Sequence, residues 1–107
     1  MTETQPGLVL TASSEAEAQQ LARALVEAEL AACVNFFPIR SVYRWRSAIH
    51  DEPEYQLLIK TDWALFQALS AKITELHSYD IPEVVAVAIA QGSPAYLDWL
   101  QAQLSSA

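Results

Sequence analysis

Apolar and polar residues change their spacing several times along the chain, and each change marks an element. Leu8, Val9 and Leu10 form a short apolar run suited to a buried strand. Ser14 and Glu17 stand at the Ser-x-x-Glu spacing of a capping box, whose side chains satisfy the first free donors of a helix. Ala18, Leu21, Ala22, Leu25 and Ala28 then share one helical face, with Gln19, Gln20, Arg23, Glu27 and Glu29 around the rest. The helix ends near Leu30. From Ala31 to Thr61 the period falls to two. Ser41, Tyr43 and Trp45 alternate with Val42, Arg44 and Arg46, and later Tyr55, Leu57, Ile59 and Thr61 alternate with Glu54, Gln56, Leu58 and Lys60. This predicts two paired strands joined at a polar corner, Ser47 to Pro53, which holds the turn formers Asp51 and Pro53. Pro38 cannot donate to a ladder, so it is expected to bend the first strand at a bulge or an edge.

Helical spacing returns after the hairpin. Thr61 or Asp62 caps a second helix whose stripe is Leu65, Leu69, Ile73 and Leu76, flanked by Trp63 and Phe66. The stretch His77-Ser-Tyr-Asp-Ile-Pro-Glu83 interrupts all periodicity. Val84 to Ala90 is continuously apolar, as expected for a strand covered on both faces or at the centre of a sheet. Gly92 turns the chain, Ser93 is a good N-cap and Pro94 suits the first helical position, opening a last helix with Tyr96, Leu97, Trp99, Leu100 and Leu104. The order β-α-β-β-α-β-α places two helices on one face of a four-stranded antiparallel sheet. That is a ferredoxin-like α+β sandwich with an extra C-terminal helix.

Length tests the hairpin. Drawn out at ~3.3 Å per residue, Ala31 to Arg46 spans roughly 50 Å. A compact chain of this size has a radius of gyration of about 13 Å, so part of the hairpin must project beyond its own core. Tyr43, Trp45 and Tyr55 then lie where a lone domain can scarcely cover them. A row of aromatics on a long strand edge invites a partner. The hairpin is expected to dock on another copy of the chain through these three residues.

Composition narrows the partners. The 107 residues make one domain, large enough to bury a core without disulfides. With 6 basic against 13 acidic residues and a net charge of −7, the chain lacks the clustered Lys and Arg that phosphates or anionic membranes need. The single cysteine, Cys33, excludes an internal disulfide and any Cys-x-x-Cys motif. The first residues carry neither a basic segment nor an apolar signal core, and no apolar run approaches the ~20 residues of a membrane span. A reducing, cytoplasmic setting is the expectation, with no nucleic acid and no membrane insertion.

The chemistry-bearing residues are few. His77, at the end of the second helix, has two readings: a metal ligand assisted by Cys33, His50, Asp80 or Glu83, or a cap at a helix C-terminus. None of those candidates lies at a recognised ligand spacing from it. Cys33 reads as an inert, buried thiol. His50 sits in the hairpin corner beside Asp51 and Glu52, where a solvated imidazole can pick up transition metals weakly. Asp51, Glu52 and Glu54 are read as carboxylates crowded into a turn and kept ionised by water. Lys60 either snorkels, pairs with a carboxylate such as Glu83, or holds an anion. Tyr79, Glu83, Tyr96, Asp98 and Trp99 either complete a polar-aromatic pocket or close the end of the core. No nucleophile stands with a base, which argues against an enzyme.

Several motifs in the same order resemble the CutA family of divalent-cation tolerance proteins. They are Leu-Ala-Ala-Cys-Val-Asn at 30–35, then Pro38, then Ser-x-Tyr-x-Trp at 41–45, an acidic corner, and Ile-Lys-Thr at 59–61. The segment from His77 to Ile89 and the ending Gly92-Ser-Pro-Ala-Tyr-Leu-Asp-Trp-Leu100 continue the match, which covers Leu8 to Leu104. The resemblance implies one CutA-like domain over 1–107, assembled as a tight homotrimer whose arms dock on their neighbours. It implies clefts between subunits near Tyr43, Trp45, Lys60, His77, Tyr79, Glu83 and Trp99, similar to those in which PII signalling trimers hold small ligands. It further implies a role in the response to metal ions, with Cu(II) or another divalent cation as ligand and no cofactor required. A small anionic ligand in the clefts, or a non-catalytic trimeric scaffold, are the alternatives. The chain departs from the family at three places. Ser78 stands where the family has a proline, and Leu10 and Leu76 stand where copper-binding members carry a cysteine and a second histidine, so that His77 alone carries over.

Overall fold

The computed structural model describes residues 3–106. The elements run β1 (Pro6–Ser13), α1 (Glu15–Glu27), β2 (Cys33–Trp45), β3 (Ala48–Asp62), a 3-10 turn (Trp63–Leu65), α2 (Phe66–Leu76), β4 (Val85–Ala88) and α3 (Pro94–Ala102). The strands form one sheet in the order β2-β3-β1-β4, every neighbour antiparallel. This is the expected ferredoxin-like arrangement, with α3 added after it. Local chemistry explains the starts of the first two helical segments. Ser14 accepts from the Glu17 N–H at 3.3 Å, and Asp62 accepts from the Ala64 N–H at 2.9 Å. Pro94 occupies the first turn of α3, while Ser93 makes no side-chain capping bond.

The core lies between the sheet and the first two helices. Val9 of β1, Leu57 and Ile59 of β3, Ala18, Leu21 and Leu25 of α1, and Leu69 and Ile73 of α2 are its buried members. The registers Leu10↔Leu58, Leu10↔Val85 and Leu8↔Val87 place those five residues together on the opposite face. There Leu8, Leu10 and Leu58 are half-buried, while Val85 and Val87 are exposed.

The hairpin is the dominant feature. β2 and β3 pair without interruption from Cys33↔Lys60 to Trp45↔Ala48, whereas β1 reaches only Ser13↔Tyr55. Residues 39–54 therefore continue past the sheet as a two-stranded ribbon, called the arm below. It stretches the molecule to 48 × 25 × 21 Å, with a radius of gyration of 14.5 Å, above the ~13 Å of a compact chain of this length.

Three expectations need correction. The polar corner at Ser47 to Pro53 is in fact strand from Ala48 onward, and the reversal takes only Arg46 and Ser47. Both have positive φ, 52° and 66°, the backbone that matches a two-residue turn to twisted strands. Asp51 and Pro53 are ladder residues. Pro38 creates no bulge: its register with Tyr55 is continuous, and it lies on the edge strand, where a missing donor is tolerated. The apolar run at Val84 to Ala90 is not a central strand. Its β4 core, Val85–Ala88, pairs with β1 alone, stands at the other edge and is exposed throughout.

Candidate functional site

The site grows from the end of α2. The His77 backbone N–H closes the helix on the Ile73 carbonyl at 2.8 Å. Its imidazole turns inward and is buried. Nδ1 accepts from the Tyr79 N–H at 3.1 Å, so Nε2 carries the proton and donates to the Ala12 carbonyl at 2.7 Å. Both ring nitrogens are thus engaged with backbone. The Ser78 N–H donates to Glu17 Oε1 at 3.2 Å, a bond no proline at that position could make. Burial pushes the Glu17 carboxyl up, but the bonds from Ser78 and the nearby His77 outweigh it and hold the group below its ordinary value. The loop after α2 is in this way pinned to the end of β1 and the start of α1.

Tyr79 carries that anchoring to the arm. Its hydroxyl donates to Glu54 Oε2 at 2.6 Å, and its ring leans on His77 with centroids 4.5 Å apart. Desolvation, then the Glu54 bond and charge, push the Tyr79 hydroxyl far above its ordinary value. Glu54 itself is only 9% exposed. The expectation that it shares a solvated turn with Asp51 and Glu52 is therefore wrong, because the strand extends past it and Tyr79 covers it. Along the same arm face, Tyr43 stacks on His50 at 5.2 Å, and His50 Nδ1 lies 3.2 Å from Glu52 Oε1. Near the tip, the Arg46 guanidinium lies 5.4 Å from the Trp45 ring centroid and pairs with Asp80 at 3.5 Å. Arg40 is held by Asp51 at 2.7 Å. Partial desolvation and the carboxylates of Glu52 and Glu54 raise the Tyr43 hydroxyl.

Arm and loop enclose a cleft of about 640 Å³ whose lining includes Tyr43, Trp45, Glu54, Tyr79, Asp80 and Glu83. Of the six residues expected to share a ligand cleft, Tyr43, Trp45, Tyr79 and Glu83 meet here within one chain. Lys60 and Trp99 do not. Lys60 lies six residues along β3 from Glu54, a rise of about 20 Å. Its ammonium rests 5.5 Å from the Tyr96 ring centroid, and Tyr96 packs on Trp99 at 5.5 Å. Among the described residues Lys60 makes no ion pair, so Glu83 is not its partner. Tyr55, expected at the oligomer interface, faces inward, packing on Phe36 and against the core. Cys33 is half-buried, its Sγ 4.0 Å from Asn35 Oδ1. Among the described residues, no three His, Cys, Asp or Glu converge to hold a metal ion, and no helix is long and apolar enough to cross a membrane.

Comparison with known proteins decides the family. The profile described as CutA1 divalent ion tolerance protein matches residues 7–103. The chain belongs to the CutA1 family. Its CutA relatives include the divalent-cation tolerance protein CutA of Thermus thermophilus, 44% identical over 88% of this chain and 92% of the relative. Mouse Protein CutA is 41% identical over 85% of this chain, which spans 52% of that longer protein. Among solved CutA folds, CutA1 from Oryza sativa superposes with a TM-score of 0.95 at 34% identity, covering all of both chains. The periplasmic divalent cation tolerance protein CutA from Archaeoglobus fulgidus gives 0.91 at 32% identity, over 94% of this chain and 99% of that one.

Proposed function

We propose that this CutA1 chain serves the response to divalent metal ions as a homotrimer, each arm docking on a neighbouring copy. The observation that carries the reading is the arm. Val42 and Ile49 are 66% and 67% exposed on the arm face turned away from His50 and Tyr43, and an isolated two-stranded ribbon is marginal in water. The exposed valines of β4 add a second apolar surface at the opposite sheet edge. The number three follows from the family resemblance. We read the chain as a binding protein rather than an enzyme.

Metal contact in this reading is weak and falls to His50 rather than His77. The His77 imidazole has both nitrogens committed to backbone. His50 holds Nδ1 3.2 Å from Glu52 Oε1, which leaves Nε2 without a hydrogen-bond partner among the described residues, and a single such imidazole suits loose capture of Cu(II) or a similar ion. Calorimetric titration with Cu(II) tests this. The His77→Ala variant should keep the heat of the unaltered protein, and His50→Ala should lose most of it. No heat from the unaltered protein would remove metal capture, and loss with His77→Ala alone would return the site to the helix end. Fractionation of host cells decides between the cytoplasm, which a lone thiol suits, and the periplasm described for the Archaeoglobus relative.

One observation favours a second reading. Lys60 lies against Tyr96 without a carboxylate partner among the described residues, and in a trimer a neighbour would complete a PII-like site there for a small anionic ligand. A thermal-shift screen of nucleotides and organic acids, with Lys60→Ala as control, tests it. A flat screen would dismiss it.

A further inference from the structure

The cleft between arm and loop has a chemistry that neither the metal reading nor the anion reading uses. Three of its walls are aromatic rings, Tyr43, Trp45 and Tyr79. Its one arginine, Arg40, is already matched by Asp51 at 2.7 Å, and Arg46 just outside it pairs with Asp80 at 3.5 Å. Glu54 and Glu83 remain without a cation among the described residues, and Glu52 stands near enough to act on Tyr43. An anion entering this space would meet carboxylates and, among the described residues, no free positive group. A bare divalent ion needs oxygens converging on one point, and among the described residues no such set of three exists. Ring faces beside spaced carboxylates suit a third class, the diffuse positive charge of an alkylated ammonium.

The geometry points to this cleft as a binding site for a small organic cation of the quaternary or alkylammonium class. Trp45 and Tyr43 supply the ring faces not covered by Arg46 and His50, and Glu83 and Glu54 supply the compensating charge. Tyr79 holds Glu54 in place from below, and the Arg46–Asp80 pair bridges arm and loop near the tip. At about 640 Å³ the space exceeds what a choline-sized ion needs and falls within the range of small-molecule pockets. The assignment uses neither His77 nor the His50 Nε2 on which the metal proposal rests, although Tyr43 stacks on the His50 ring.

The test is calorimetry with choline and with 3,3-dimethylbutan-1-ol, which has the same shape and no charge. The unaltered protein is used at a concentration where its oligomer is intact. Choline should bind saturably, and the neutral compound at least about tenfold more weakly. Glu83→Gln and Trp45→Leu should each weaken choline about tenfold, with the far-ultraviolet dichroism and oligomer mass of each variant measured alongside. Equal affinity for the charged and neutral compounds would overturn the assignment. So would unchanged choline binding in both variants, or displacement of choline by one equivalent of Mg(II). Choline binding found only after the oligomer is diluted apart would also overturn it, giving the cleft to a side chain of the neighbouring copy. Oligomer mass and Cu(II) heats are read separately, so failure here leaves the proposed function standing and the reverse also holds.

Discussion

A tyrosine hydroxyl that donates to a buried carboxylate resists losing its proton. Tyr79 does so to Glu54 at 2.6 Å, and its ionisation is pushed upward by desolvation first and by Glu54 second. In the unfolded chain it ionises near its ordinary value of 10. Because the folded value is higher, the stabilisation is complete below that pH and is lost as pH climbs through the folded value. Denaturant midpoints should therefore fall above about pH 10, and Tyr79→Phe should flatten that limb. At neutral pH the same variant should lose about 1 kcal/mol, the low side for a charge-assisted bond because Tyr79 stays partly open to water. At this scale the sequence showed which side chains to watch more clearly than where they point. His77 was visible as a helix end, but nothing local reveals that the Ala12 carbonyl faces it from 65 residues away. Glu54 read as solvated because its neighbours Asp51 and Glu52 are polar, and only the reach of Tyr79 across the arm base buries it.

The elements were largely legible, and the exceptions have physical causes. Helices announced themselves by spacing, with side-chain caps formed at Ser14 and Asp62 but not at Ser93. The turn did not, because Arg46 and Ser47 occupy left-handed backbone without a glycine or asparagine to mark it. Asp51 and Pro53 offered a more familiar turn chemistry nearby and misled. Ser47→Gly should relieve this strain and raise stability by about 0.5–1 kcal/mol, less what glycine adds to the freedom of the unfolded chain. Equilibrium unfolding in urea measures it, and a lower midpoint would show that the turn carries no strain worth relieving. β4 was misplaced for a different reason. An apolar strand declares that it is covered, but not whether its own chain does the covering.

At the level of the molecule, the projection of the arm was legible, and which of its faces meets a partner was not. Projection beyond the core follows from chain length alone, and the 48 Å long axis agrees with it. Val42 and Ile49 are far more exposed than Tyr43 and Trp45, which line the cleft together with Val42, while Tyr55 turns to the core. If the trimer holds, sedimentation should give three times the 11.8 kDa chain mass, and unfolding midpoints should rise with protein concentration. Placing a charge at both outward positions, Val42→Glu with Ile49→Glu, should shift that mass toward the single chain. Persistence of the full mass would mean that β4 and the sheet face, not the arm, hold the copies together.

The ribbon also bears on the order in which the fold is built. At its tip Trp45 meets Ala48, so pairing can zip inward from a two-residue turn without closing a long loop. The pairing of β1 with β4 must instead join positions more than seventy residues apart, Leu10 with Val85 among them. A chain leaving the ribosome would hold a finished ribbon before it had the last strand of its sheet. In the proposed trimer, meeting a second copy would then be an event within folding as much as one that follows it.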